Sequence, residues 1–221
     1  MGNNKLFYFV KNVLDFFLGI TFIVLSIPFI FLVSVILAVI FKSSPFIIQE
    51  RGITYENKIF KIIKFKTIKP DKKKEIAISN NIFYKFRLEE NVPLFCRWLR
   101  KSGLDELPQL INVIKGEMSL IGPRPLMYSD LDILKSQFPD HYDKRNQIKA
   151  KPGITGLWQI YGKREEGVKD LMLLDLKYDN MISISLDIKI FISTIPLIFK
   201  GKNSDAIISC KEERRDYYSI A

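Results

Sequence analysis

The stretch Phe16-Phe17-Leu18-Gly19-Ile20-Thr21-Phe22-Ile23-Val24-Leu25-Ser26-Ile27-Pro28-Phe29-Ile30-Phe31-Leu32-Val33-Ser34-Val35-Ile36-Leu37-Ala38-Val39-Ile40-Phe41 carries no charged side chain, and its reading decides how the chain is organised. As a helix rising ~1.5 Å per residue it would extend roughly 40 Å, more than the ~30 Å hydrocarbon core of a bilayer. Such a segment belongs in lipid. A cleaved secretory leader would need a shorter apolar run and a small-residue cleavage site. The run ends instead in Phe41-Lys42-Ser43-Ser44-Pro45.

Pro28 divides the run. Proline lacks an amide donor and frees the carbonyl four residues back, that of Val24, which then needs a partner inside hydrocarbon. Ser26 is close enough to supply one. Each half, about 13 residues or roughly 20 Å long, enters one leaflet without crossing the core. Lys5 and Lys11 precede the run and Lys42 follows it. The excess of positive charge on cytoplasmic flanks therefore favours a helix-break-helix that enters and leaves by one face. A tilted spanning helix kinked at proline fits the same residues, and residues alone leave the two arrangements open.

Working outward, the 221 residues suit one compact domain, 46–221, behind a membrane element, 1–45. Lys and Arg outnumber Asp and Glu by 34 to 24, a formal charge of +10 that calls for an anionic partner: nucleic acid, lipid headgroups or a phosphorylated substrate. The two cysteines, Cys96 and Cys210, match no metal-ligand spacing and no disulfide framework. The single histidine, His141, lies in a polar stretch and receives no role.

Phe46 to Gln49 and Lys58 to Phe65 flank a turn-like segment, Arg51-Gly52 to Asn57, and predict a short β-hairpin. Residues 69–91 are polar and read as a surface loop or lid. Leu94 to Lys101 reads as a helix, mixing Phe95, Trp98 and Leu99 with Arg97, Arg100 and Lys101, as suits either a lipid surface or a core. The apolar run Ile182 to Phe199 is interrupted by Asp187 and Lys189, which predicts an amphipathic or core helix rather than a second membrane element. The fold class is α+β: a mostly helical catalytic domain with a short hairpin.

The chemistry concentrates in Arg100-Lys101-Ser102-Gly103-Leu104-Asp105-Glu106-Leu107-Pro108-Gln109-Leu110. Pro108 is tolerated only in a first helical turn, so a helix should begin close to Asp105. An acid there can simply cap orphan amides. A carboxylate kept ionised by a helix start is also a competent nucleophile toward phosphorus, and its neighbour can handle an acceptor proton. Two adjacent carboxylates can further share a hard cation with diphosphate oxygens. Downstream, Gly122-Pro123-Arg124-Pro125 frames one guanidinium between two prolines, which lowers the entropy lost when it grips an anion. A structural salt bridge would use the same residue. Lys149 to Gln159, with Gly153, Gly156 and Trp158, is a glycine-bearing loop that could cradle phosphate or stack a base.

Together these segments resemble the bacterial sugar transferase family, in its small form the monotopic phosphoglycosyl transferases. The resemblance rests on Lys58 to Thr67, Leu104 to Val113, Met118 to Pro125 and Lys151 to Leu157, and it covers nearly the whole chain. It implies a re-entrant membrane helix broken at proline and a cytoplasmic face of the bacterial inner membrane. It also implies magnesium-dependent transfer of a sugar 1-phosphate from a UDP-sugar to undecaprenyl phosphate, a polyprenol phosphate, in glycoconjugate synthesis. Family roles carried onto matching positions make Asp105 the covalent nucleophile and a magnesium contact, and Glu106 its acid/base partner. Lys64, Arg100 and Arg124 become phosphate or substrate contacts. The implied partners are UDP-sugar, polyprenol phosphate and membrane lipid, with no nucleic acid; a homo-oligomer is compatible.

Three features depart from the family pattern. Ile27 separates Ser26 from Pro28, one extra residue follows Arg51-Gly52 before Lys58, and Lys163 stands where an arginine is usual. Two other functions compete: a membrane-anchored module that only binds anionic ligands, and a hydrolase running the same aspartyl-phosphate chemistry with water. The acidic pair speaks against the first, because carboxylates repel anions. The membrane element speaks against the second.

Overall fold

A computed structural model describes residues 2–54, 56, 59–68, 92–163 and 167–200, with residues 2–4 and 200 described by backbone only. The expected lid at 69–91, Lys58, and the tail containing Cys210 lie outside the described residues.

The apolar run belongs to one helix, α1 (Gly2–Phe41), that begins well before Phe16. It continues through Pro28, where the sequence leads one to expect a break. A proline removes a single helical hydrogen bond, which a long helix absorbs without ending. The hydroxyls that bond back to carbonyls lie on either side: Thr21 Oγ1 to Phe17 O at 3.0 Å and Ser34 Oγ to Ile30 O at 2.7 Å.

Contacts with the rest of the protein come from one stripe of α1. Lys11, Asp15, Gly19 and Phe22 meet it in the first part, and Phe29, Val33, Leu37 and Phe41 in the second. These positions recur every three or four residues or a multiple of that, the spacing of one helical face. The opposite face exposes Phe9, Phe17, Leu25, Phe31, Leu32 and Val39. It is the one described helix long and apolar enough to cross a membrane.

The predicted hairpin forms. Strand β1 (Phe46–Gly52) pairs antiparallel with β2 (Phe60–Phe65), from Phe46 opposite Phe65 to Arg51 opposite Phe60. Arg51 and Gly52, expected in the turn, therefore belong to the strand. The predicted amphipathic helix is α2 (Leu94–Ser102), with Cys96 and Leu99 inward and Leu94 and Trp98 exposed, so it serves core and surface at once. A 3-10 turn, Leu104–Gln109, leads directly into α3 (Leu110–Ile114).

The remainder alternates short strands and helices: β3 (Ser119–Ile121), β4 (Leu126–Met127), α4 (Tyr128–Gln137), α5 (Pro139–Asn146), β5 (Gly153–Thr155), α6 (Leu157–Tyr161), α7 (Val168–Met181) and α8 (Ile184–Lys200). Strand β4 completes a three-stranded sheet in the order β2-β1-β4, and β3 pairs with β5 in parallel. The fold is mostly helical with little sheet, as expected of the class.

Two apolar clusters hold it. The larger runs from Phe60 and Ile62 through Leu110, Leu131 and Trp158 to Leu171 and Ile190. The smaller joins Val33 and Leu37 of α1 to Phe65 of β2 and to Cys96 and Leu99 of α2. Helix α8 buries Leu186 and Ile190 and exposes Ile188, Ile192 and Phe199, so its outward face is largely apolar as well.

Candidate active site

The acidic pair is delivered by a glycine hinge. Gly103 has φ 74°, a left-handed conformation that costs a side-chain-bearing residue energy, and it closes α2 while opening the 3-10 turn. The turn is 3-10 and carries Pro108, which has no amide to donate to it. Asp105 is thus the second residue of the turn, two residues inside the N-cap, which Gly103 occupies. It is buried, at 3% exposure.

Glu106 faces Lys64: Oε1 and Nζ are 3.6 Å apart, with both side chains largely buried. Lys64 breaks the two-residue rhythm of its strand, where Phe60 and Ile62 occupy the inward positions and a third apolar residue would be expected. A cation in such a place is a local inconsistency of the kind that marks a site.

Arg100 approaches from α2, its Nη1 donating to Thr67 Oγ1 at 3.0 Å, while its buried Nε has no hydrogen-bond partner among the described residues. The buried thiol of Cys96 registers both groups. Burial pushes it up to about 11; the Arg100 charge opposes the rise and the Asp105 charge adds to it. The structure therefore gathers four of the sequence-predicted site residues, Asp105, Glu106, Lys64 and Arg100, around the junction of β2, α2 and the 3-10 turn.

Arg124 is held in a different network. Its backbone amide donates to Asp175 Oδ1 and Oδ2 at 3.2 and 3.3 Å, and its carbonyl accepts from Arg145 Nη2. Arg145 Nη1 and Asp175 Oδ2 form a buried ion pair at 2.6 Å. Burial raises the Asp175 carboxyl, while Arg145 and the Arg124 amide act against the rise. The strand partners of Lys64 and Leu126 on β1, Ile47 and Gly52, lie about 17 Å apart along it.

The glycine-bearing loop serves packing. Gly122 N donates to Thr155 O and Gly153 N to Pro123 O, each at 2.9 Å. A Cβ on Gly122 would sit 2.2 Å from Lys151 O, and one on Gly156 2.1 Å from Gly122 O. The glycines thus let the two motifs touch backbone to backbone. Trp158 is 2% exposed and fills the core, so stacking on a base is not its role.

Sequence reasoning missed a buried polar network on the inner stripe of α1. Lys11 Nζ meets Asp187 Oδ2 at 2.5 Å and Asp15 at 3.6 Å. Asp15 Oδ2 accepts from Ser119 Oγ at 2.6 Å, and the Tyr178 hydroxyl lies 2.7 Å from Asp187 Oδ1. Burial raises both Tyr178 and Asp187. One signal was available: Lys11 and Asp15 fall one helical turn apart at the edge of an apolar run.

Among the described residues, no group of three His, Cys, Asp or Glu could cage a metal. The donors available for a cation are the two adjacent carboxylates, Asp105 and Glu106. That set fits magnesium, which takes one or two carboxylates and completes its shell with water and substrate phosphates.

Comparison with known proteins agrees with the sequence reading. Residues 6–201 match the family described as bacterial sugar transferase. The chain is 32% identical over 164 residues to the galactosyl transferase CpsE of Streptococcus agalactiae serotype III, covering 71% of this chain and 35% of that one. It is 33% identical over 164 residues to the exopolysaccharide production protein ExoY of Sinorhizobium fredii, covering 70% of each. It is 28% identical over 202 residues to the undecaprenyl-phosphate galactose phosphotransferase of Salmonella typhimurium, covering 87% of this chain and 41% of that one. The chain thus spans well under half of the streptococcal and Salmonella relatives. With a match running from residue 6 to residue 201, it belongs to a family of transferases, the bacterial sugar transferases.

Proposed function

We propose that this protein transfers a sugar 1-phosphate from a UDP-sugar to undecaprenyl phosphate, releasing UMP, as a membrane step of polysaccharide synthesis. The observation that carries the proposal is the buried Asp105 beside the half-buried Glu106, with Lys64 on Glu106, on a turn packed against the apolar helix α1. A nucleophile beside a lipid-facing helix is where a lipid-borne phosphate arrives. The names of relatives, among them a UDP-glucose:undecaprenyl-phosphate glucose-1-phosphate transferase of Caulobacter vibrioides, support the same reaction class.

In the first step an Asp105 carboxylate oxygen attacks the phosphorus that bears the sugar. The bond from that phosphorus to the UMP oxygen breaks, and UMP leaves with the electron pair. In the second step an oxygen of the polyprenol phosphate attacks the same phosphorus and displaces Asp105, giving a polyprenyl diphosphate sugar. Glu106 accepts a proton from the incoming phosphate, and Lys64 holds that carboxylate in place. Arg100 and Arg124 contact the phosphates. Magnesium, when bound with the diphosphate, would neutralise charge on the departing UMP, with Asp105 and Glu106 as its protein ligands.

The contact pattern of α1 supports an arrangement in which the continuous helix meets the membrane from one face without crossing it. Its inner stripe touches the domain from Lys11 to Phe41, about 45 Å of helix, more than the ~30 Å hydrocarbon core. A helix crossing the bilayer would draw the domain in with it. Both ends then lie on the cytoplasmic face of the inner membrane, where a UDP-sugar is found. Cysteines introduced near Asn3 and beyond Lys42 should label from the same side; labelling from opposite sides would refute the arrangement.

The reaction is tested with the full chain in nanodiscs, a panel of UDP-sugars and undecaprenyl phosphate, following UMP. Without the lipid, a burst of about one UMP per site and a phosphosugar adduct on Asp105 are expected, as for other covalent catalysts. Asp105→Asn should abolish both. An adduct on Glu106, or UMP appearing only when both substrates are bound, would overturn the covalent route. No UMP with any sugar would favour an anion-binding module.

A further inference from the structure

The segment Pro123-Arg124-Pro125 owns a single backbone N–H, because its two prolines have none. That one donor goes to Asp175. All three carbonyls are also taken: Pro123 O by Gly153 N at 2.9 Å, Arg124 O by Arg145 Nη2, and Pro125 O by Arg51 Nη1 at 3.2 Å. Every backbone polar group of the tripeptide is therefore engaged, and three buried side chains supply most of the partners.

Two of those partners are each other's counter-ion. The Arg145 and Asp175 side chains are 0% and 2% exposed. Burying an ion pair seldom stabilises a fold over an apolar pair of the same volume, since the desolvation cost offsets the attraction. What an apolar pair cannot do is offer an acceptor and a donor to the two sides of one residue. Arg145 and Asp175 do this for Arg124, and the remaining Arg145 donor, Nε, ties the pair to Ile53 O at 2.8 Å.

We propose that the Arg145–Asp175 pair is a positioning device. It fixes the backbone of Arg124, and with it the direction in which the guanidinium meets a substrate phosphate. The proposal rests on the reading of Arg124 as a phosphate contact. Neither Arg145 nor Asp175 touches substrate; each acts through Arg124. Clamping the main chain matters because the arginine side chain is long, and a small rotation at its root becomes a displacement at its tip large enough to spoil a bidentate grip.

The test is a cycle on the full-length protein in nanodiscs, with UDP-galactose or UDP-glucose, whichever turns over faster, and undecaprenyl phosphate. The variants are Arg145→Met with Asp175→Leu, Asp175→Asn, Arg124→Ala, and each of the first two combined with Arg124→Ala. The apolar pair should melt close to the parent and lose on the order of 10²-fold in kcat/KM. In the Arg124→Ala background the same substitutions should cost less than threefold, because nothing remains to aim. Should the apolar pair fold poorly, Asp175→Asn, which keeps the shape, gives the same comparison.

Parent-like kcat/KM in the apolar-pair or Asp175→Asn variant would overturn the proposal, as would equal losses with and without Arg124. Parent-like activity of Arg124→Ala alone would remove Arg124 from the site, a separate failure that takes the positioning role with it.

Discussion

Lys11 and Asp187, 176 residues apart in the chain, meet as a buried ion pair at 2.5 Å. The pair joins the start of α1 to the start of α8, and through Tyr178 and Asp15 to α7 and β3. The long apolar helix is thereby fastened to the domain by polar as well as apolar contacts.

Lys11→Met would leave Asp187 buried without its cation, and removing one partner of a buried pair typically costs about 3 to 5 kcal/mol. Adding Asp187→Leu should restore at least half of the loss. Unfolding in detergent measures both. A single variant as stable as the parent would mean that the pair does not hold α1 down.

Lys64→Met should lower turnover at least tenfold by releasing Glu106, whose acid/base work is typically worth about 10² to 10⁴ in rate. Glu106→Gln should add little in that background, since residues in one network are not additive. Steady-state kinetics of the four proteins would decide; multiplicative losses would separate the two residues.

Gly122→Ala should destabilise the protein by about 3 kcal/mol or more, because its Cβ would fall 2.2 Å from the Lys151 carbonyl and the two loops would have to part. Gly116, where a Cβ would have its nearest neighbour at 3.6 Å but φ is +74°, should lose only the smaller conformational term on the same change. Thermal melts of the two variants test the ranking, and a mild Gly122→Ala would contradict the close approach.

Cys96 should resist alkylation. The native thiol keeps its proton to about 11, whereas an ordinary thiol releases it near 9.0. The contribution to stability is therefore complete below pH 9 and declines as pH rises from 9 towards 11. In a Cys210→Ser background, iodoacetamide should label the folded protein at neutral pH at least ~10²-fold more slowly than the unfolded one. Fast labelling would place Cys96 in an accessible, thiolate-favouring setting.

Much of this was legible in the chain itself. The apolar run, the hairpin, the helix at 94–102 and the acidic pair ahead of Pro108 are local signals, set by hydrophobic periodicity and by what proline and glycine permit over a few residues. The four family-like segments carried the chemistry for the same reason, since a motif is local. The sequence leads one to expect a break at Pro28 and a turn at Arg51-Gly52, and leaves the loop at Gly153 and Gly156 open to a phosphate or a base. The structure has a helix that absorbs its proline, glycines used for backbone contact, and a strand. Only tertiary structure decided which residues meet across the chain. Lys11 with Asp187, Lys64 with Glu106, and Arg145 with Asp175 and Arg124 are partners from separate elements. A buried charge can break a periodic pattern, but the sequence does not name its partner, because that is chosen by the packing of distant segments in space.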